Sequence, residues 1–331
     1  MATLKDVAKL ANVDVSTVSR ALNNTSYVHP DTKEKIYAAA KELGYHPNAM
    51  ARALRQGRGH VIAVVVPRLH LTIFSEILQG IEAEAKKRDY MTIVCVTEDD
   101  PKIEKDRLNR LRDSGVDGVI IAATGRNGRI LRDIQASGVP VVQLVRRQEQ
   151  DFSSVVADYE ASGREAVQYL YNKGCRSIGL IAGAQDLAPY RGRYEGYRKA
   201  VEQLGLEEIT GSSDRIVNSF GYGVESAVQI LDENPEIDAI IAAVDVQGLG
   251  AIRAAAERGL KIPEQIKIMS LTGHRVGRML ETAMTSMEMP AFQMGEAAAN
   301  LVIDEIEADA KHKPAHRHIN FAPTLVERES T

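Results

Sequence analysis

Apolar spacing divides the chain into three regions. Over the first 45 residues apolar positions recur three and four apart, the period of helices sharing a core. Leu4, Val7, Ala8 and Ala11 fall on one face of a first helix that Thr3 is placed to cap. ANVD then reads as a tight turn, with Asp14 positioned to cap a second helix over residues 15–22, whose Val18 and Leu22 point inward. A third helix is predicted over 31–43, burying Ile36, Ala40 and Leu43 and ending at Gly44. Two short helices across a turn of this length form a helix-turn-helix.

From residue 61 the pattern changes and repeats. VIAVVV, MTIVCV, GVIIA and VPVVQLV are continuous apolar runs, separated by amphipathic stretches at 73–88, 101–114 and 127–137. A second series, SIGLIAG, IDAIIAAV and IKIMSL, alternates with helices predicted at 189–204, 245–258 and 275–283. Strands apolar on both faces and separated by helices imply parallel sheets covered on both sides. Two series imply two α/β lobes. Ligands of open α/β sheets sit beyond the carboxyl ends of the strands, so two facing lobes make a cleft.

Between these regions lies NAMARALRQGRG, residues 48–59, with the composition of a helix. Nine helical residues at 48–56 fall below the ~12–15 needed for marginal stability in water, so this segment folds only where something packs on it. Two copies side by side in a minor groove would supply that packing, with Leu54 wedged into a base step. The alternative is a plain linker with Leu54 resting on the body.

Composition narrows the classes. No run among the 331 residues approaches the ~18 apolar residues of a membrane span, and the N-terminus lacks the layout of a signal peptide, so a cytoplasmic protein is expected. Cys95 and Cys175 lie in or beside apolar strands and read as buried free thiols. Residues 1–58 hold nine Lys/Arg against five Asp/Glu, while the remainder holds 32 against 40. A basic head on an acidic body suggests that only the head meets a polyanion. No phosphate-loop, dinucleotide, nucleophile-elbow or zinc-protease motif occurs, so no catalytic residue is assigned. KHKPAHRH at 311–318 brings His316 and His318 close, but reads as a solvated loop and not a metal site.

The second helix carries the chemistry of the head. Val15 and Ser16 stand in its first turn and Arg20 one turn beyond. They suit a major groove: an apolar contact for a thymine methyl, an adaptable hydroxyl, and a guanidinium shaped for guanine. Thr3 and Thr17 are placed for phosphates. A helical hairpin with a solvated face would look similar.

The run MATLKDVAKLANVDVSTVSRALNN…TKEKIYAAAKELGYHPNAMARALR resembles the lactose-repressor family of bacterial regulators, near the purine-repressor branch in spacing. Asp14 departs from the family's serine, which puts one phosphate contact in question. The likeness continues through GVPVV, GRYEGYRKA, VDVQGLGAIRAA and LVERES. It implies a helix-turn-helix headpiece (1–46), a hinge helix and linker (47–58), and a two-lobed core like periplasmic binding proteins (59–331). The first lobe would take about 60–158 and 290–320, the second about 159–289 and 321–331. It also implies that Met50, Ala51, Arg52, Leu54 and Arg55 contact DNA from the hinge. The partners implied are a palindromic operator, a second copy of the chain and a small-molecule effector, with no membrane, no metal and no cofactor. The helix at 73–88 and the long helix near 290–308, with Ala297–Ala299, are candidate dimer faces.

Carried over position by position, the effector candidates are Arg68, His70, Ile73, Phe74, Thr124, Arg146, Asp158, Arg193, Phe220, Asp245 and Thr272. Thr272 stands where the family often has an aspartate, and HLTIF replaces the usual N-P-F-F. Losing an acid while keeping Arg68, Arg146, Arg193 and Arg275 biases the cleft positive and points to an anionic sugar derivative. That holds unless the arginines face solvent or pair with Asp158 and Asp245. A regulator answering to a phosphorylated partner protein, as the family's catabolite-control members do, is the alternative, with a sugar-binding transport protein or a sugar-modifying enzyme more remote.

Overall fold

Three short helices form the head because each offers a narrow apolar stripe to the others. The computed structural model describes residues 2–23, 26–45, 59–69, 71–273, 275–309 and 315–331. In it α1 (Leu4–Ala11), α2 (Val15–Asn23) and α3 (Pro30–Glu42) enclose Val7, Ala8, Val18, Ala21, Ile36 and Ala40. A capping box opens α1: the Thr3 hydroxyl accepts the Asp6 amide at 3.4 Å, and the Asp6 carboxylate accepts the Thr3 amide at 2.8 Å. Those bonds with Thr3 hold the Asp6 carboxyl below its ordinary range.

Two expectations fail in the head. The Asp14 carboxylate makes no capping bond among the described residues; its backbone carbonyl accepts from the Thr17 and Val18 amides at 2.9 and 3.1 Å. Leu43 is 36% exposed, because α3 stops at Glu42 and Leu43 caps it beyond the last turn that reaches the core.

Residues 60–331 form a second unit, built from two six-stranded sheets. The first holds β1 (Val61–Val66), β2 (Met91–Val96), β3 (Gly118–Ile121), β4 (Val141–Leu144), β5 (Ser153–Ala157) and β11 (His318–Phe321), in the order β11-β5-β4-β3-β1-β2, all parallel. The second holds β6 (Ile178–Ile181), β7 (Ile209–Gly211), β8 (Ala239–Ala242), β9 (Lys267–Ser270), β10 (Thr285–Glu288) and β12 (Thr324–Val326), in the order β12-β10-β9-β8-β6-β7. Only β12 runs antiparallel there, beside β10. Both sheets thus repeat one winding, with the order reversing beside β1 and beside β6.

The central strands are apolar on both faces because helices cover both. Ile62, Val64 and Val66 pack under α4 (Thr72–Lys87) and α12 (Ala291–Glu307). Ala63 and Val65 pack under α5 (Pro101–Arg112), through Leu108, and α6 (Gly128–Ala136), through Leu131. In the second sheet α7 (Tyr159–Asn172) and α8 (Ala188–Gln203) cover one face; α9 (Phe220–Glu233) and α10 (Asp245–Glu257) cover the other. The chain crosses between sheets after β5, between β10 and α12, and between β11 and β12.

Three helix pairs approach until backbones touch. An added Cβ would lie 2.0 Å from the Phe292 carbonyl oxygen at Gly80 and 2.1 Å from that of Ile77 at Gly295, where α4 meets α12. Gly163 and Gly196 do the same for α7 and α8, and Gly223 and Gly250 for α9 and α10.

The helix predicted over 275–283 reduces to α11 (Arg275–Arg278), since Met279, 78% exposed, finds no core to extend it. Ala298 and Ala299, expected on a dimer face, are fully buried against α4 and the first sheet, so that face of α12 is already occupied. Cys95 and Cys175 are unpaired, and burial pushes the Cys175 thiol up to about 11, which keeps it protonated and inert. Among the described residues no helix is long and apolar enough to cross a membrane.

Candidate functional site

On α2 the buried Val18 and Ala21 fix which side faces out: Val15, Ser16 and Arg20 are exposed, with Thr17 half-buried beside them. The Arg20 guanidinium folds back along its own helix, donating to the Ser16 carbonyl at 3.3 Å and to the Thr17 hydroxyl at 3.3 Å. Both bonds are solvent-exposed and readily exchanged for a partner. Thr3 is exposed at the start of α1. Met50, Ala51, Arg52, Leu54 and Arg55 lie outside the described residues, as does His70.

In the core, carboxyl ends of strands from both sheets meet. Leu71, Thr72 and Ile73 from the first lobe, with Val244, Asp245, Leu249 and Thr272 from the second, line a cavity of about 140 Å³. Thr272, standing where the family often has an aspartate, holds a different acid in place: its hydroxyl donates to Asp245 Oδ1 at 2.9 Å and accepts the Asp245 amide at 3.0 Å. The Ser270 hydroxyl and the Gly273 amide donate to the same oxygen. One buried carboxylate is thereby fixed at the start of α10.

Arg193, 3% exposed, lies over the rings of Tyr159 at 5.0 Å and Tyr190 at 6.0 Å. Among the described residues its buried Nε has no hydrogen-bond partner, and burial draws the guanidinium's pKa down from the ordinary arginine value. Burial also pushes the Tyr159 phenol up to about 12 and the Tyr190 phenol higher still. The Tyr190 hydroxyl donates to the Asn218 side chain.

The expected positive excess is offset. Arg68 donates to the Glu98 carboxylate at 3.2 Å and to the Glu98 carbonyl at 2.9 Å, while Arg146 donates to Asp99 at 2.6 Å. The arginines pair, but with Glu98 and Asp99 at the end of β2, not with Asp158. Asp158 instead caps α7, accepting the Ala161 amide at 2.9 Å. Thr124 gives both its amide and its hydroxyl to the buried Glu104 at 2.7 Å. Phe74 belongs to the core beneath α4, and Phe220 is exposed at the start of α9. Ile73, Asp245 and Thr272 therefore line the cavity, with Arg193 within electrostatic reach of Asp245, whereas Phe74, Thr124 and Asp158 are engaged in the core, with Glu104 and in capping α7. Asp99, Tyr159 and Tyr190 were missed. The strand-end rule that selected Arg68, Thr124 and Arg146 selects Asp99 equally once β2 is treated like its neighbours. Among the described residues no group of three or more His, Cys, Asp and Glu is placed to hold a metal; His318 pairs with the Ser154 hydroxyl at 2.9 Å.

A model of bacterial regulatory proteins of the lacI family matches residues 3–48, and one of the periplasmic binding proteins and sugar binding domain of the LacI family matches 59–322. The chain belongs to the LacI family of bacterial regulatory proteins. As a LacI-family member it is a DNA-binding transcriptional regulator with a small-molecule-binding core. It is similar to the ribose operon repressor of Halalkalibacterium halodurans, 32% identical across 100% of this chain and 97% of that protein. It is similar as well to the HTH-type transcriptional repressor PurR of Pectobacterium atrosepticum, 31% identical with the same coverage. A lac repressor dimer solved with operator and the anti-inducer ONPF superposes with a TM-score of 0.86 at 25% identity, covering 100% of this chain and 99% of that one.

Proposed function

We propose that this LacI-family chain is a homodimeric repressor that grips a two-fold symmetric operator and changes its grip when a sugar-type effector enters the interlobe cleft. It acts in the bacterial cytoplasm on nucleoid DNA, as a binding switch without catalysis or cofactor. The exposed Val15–Ser16–Arg20 face of α2 carries the reading: it is bare, mixed in chemistry and stiffened from behind by the head's own core. Residues 47–58 take the hinge role by family resemblance, with Thr3 and Thr17 toward phosphates. The expected test is Arg20→Ala. One bidentate base contact is worth about 1–3 kcal/mol, so affinity for an operator recovered by in-vitro selection falls roughly ten- to hundredfold, and base preference relaxes at one position per half-site. An equal loss on random DNA, measured by fluorescence anisotropy, contradicts base reading by this residue.

The dimer reading rests on β2. It is the edge of the first sheet, yet Met91, Ile93 and Val94 are 60, 42 and 41% exposed. A groove beside it is lined by Leu78, Gln79 and Glu82 of α4 with Thr92 and Val94. An apolar edge of this kind invites pairing, and a second copy would cover it. Ile93→Lys should shift the protein toward monomer in sedimentation and weaken operator binding with it; an unchanged dimer moves the interface elsewhere.

The cleft reading rests on Asp245, a buried carboxylate lining the cavity, and on Arg146 and Arg193, buried guanidiniums whose remaining hydrogen-bonding capacity suits hydroxyl groups. With Glu98 and Asp99 opposite the lobe's arginines, the anionic derivative expected from sequence loses its main support. A neutral polyol fits better.

A further inference from the structure

We propose that Asp99 is a specificity-determining residue of the effector cleft: a built-in counter-ion to Arg68 and Arg146 that selects a neutral hydroxyl-rich effector over its phosphorylated or carboxylated form. The proposal rests on the reading of the interlobe cleft as the effector site.

Among the described residues, Nε of three arginines carried over as cleft candidates, Arg68, Arg146 and Arg193, and Oδ2 of Asp99 are buried without a hydrogen-bond partner. Buried polar atoms are rarely left this way, so such a set marks a site awaiting a ligand. Three are donors and one is an acceptor. A hydroxyl group satisfies both kinds, accepting from a guanidinium and donating to the carboxylate. A fully ionised phosphate or carboxylate group can only accept. It would leave Asp99 Oδ2 unsatisfied and set a second negative charge against it in a poorly solvated space.

The backbone holds the carboxylate in place. Glu98 and Asp99 both adopt left-handed conformations, φ 56° and 60°, which turn the chain sharply after β2 and bring the Asp99 Oδ1 to 2.6 Å from Arg146. Oδ2 then stands 3.9 Å from Arg68 Nε, a charge contact too long for a hydrogen bond. Arg146 is delivered by a second strained turn: Val145 has φ 64°, a conformation that a β-branched residue strongly resists, and the Arg146 amide bonds the Leu144 carbonyl at 2.6 Å. The Tyr159 hydroxyl locks that turn by donating to the Val145 carbonyl at 2.8 Å. Local strain of this sort persists only where surrounding contacts enforce it, and it gathers at ligand clamps. Asp99 and Arg146 also lie within electrostatic reach of the Tyr190 hydroxyl on α8, in the second lobe.

The experiment uses full-length protein and paired probes: ribose with ribose 5-phosphate, glucose with gluconate and glucose 6-phosphate, and inorganic phosphate alone. Calorimetry compares the wild type with Asp99→Asn and Asp99→Ser, each first checked for an unchanged melting profile. The wild type should bind at least one neutral sugar and bind its charged partner at least tenfold more weakly. Both variants should gain at least tenfold in affinity for the phosphate-bearing probes, and the added substitution Arg146→Met should erase that gain, placing it in the cleft. A wild type that prefers the charged member of a pair overturns the proposal, as do folded variants that gain no anion affinity. If the wild type binds no neutral sugar while the variants acquire erasable anion binding, the counter-ion role is upheld and the sugar-type reading of the cleft is what fails.

Discussion

Replacing Arg193 with methionine is expected to leave the ligand-free core as stable as the wild type or more so, while lowering effector affinity about a hundredfold. The two effects separate because Arg193 is buried and poorly rewarded for it. The residue is 3% exposed, its Nε has no hydrogen-bond partner among the described residues, and its compensation is stacking on Tyr159 and Tyr190. Exchanging a buried charge for an apolar group of similar volume is commonly neutral or stabilising by about 1–4 kcal/mol. Methionine is long and adaptable enough to fill the slot between the two rings. A bound polyol, in contrast, loses charge-assisted hydrogen bonds worth roughly 1.5–3 kcal/mol each, and two of them amount to about a hundredfold or more. Melting curves with and without the sugar that stabilises the wild type read both quantities at once. A sharp drop in the ligand-free melting temperature would make Arg193 a structural residue instead.

That trade-off explains why the fold was easier to read than the cleft. Strands such as VIAVVV are buried on both faces, so their sequence has no alternative to a covered parallel sheet. Short strands such as Ser153–Ala157 and His318–Phe321 carry serines, a histidine and an asparagine that bond locally, and their pattern resembles a loop. The cleft depends on which carboxylate meets which guanidinium, and that is set by turn geometry. Glu98, Asp99 and Val145 take positive φ without a glycine to announce it, so the Asp99–Arg146 pair leaves no local signal. Thr272 carried the opposite difficulty. Its substitution for an aspartate looks like a lost charge in one dimension, whereas in three it positions the acid at Asp245. On α2 the exposed and buried sides follow from helical period alone, and Val15, Ser16 and Arg20 were legible as one face.

Gly80→Leu should strongly destabilise the first lobe. A Cβ at this position would lie 2.0 Å from the Phe292 carbonyl oxygen, with the Phe292 carbonyl carbon and the Glu296 amide nitrogen at 2.9 and 3.1 Å. All three are backbone atoms of α12 or its first turn, so no side-chain rotation relieves the clash. The helices must separate, and with them the packing of Ile77 and Ile81 against Met294 and Ala298 over the sheet. Overpacking ordinarily costs about 1–3 kcal/mol; against rigid backbone, with a facing helix displaced, roughly 3–5 kcal/mol is expected. In a core of this size that lowers the melting temperature by roughly 10 °C. Gly174→Ala supplies the contrast. Its φ is 95° and nothing lies within 4 Å, so the added methyl meets only backbone strain, of the order of 1 kcal/mol. If the two substitutions cost the same in urea denaturation, close approach of α4 and α12 is not what glycine provides at position 80. A larger loss for Gly80→Leu, accompanied by weakened self-association, would tie the packing of α4 to the β2 edge that its outer side flanks.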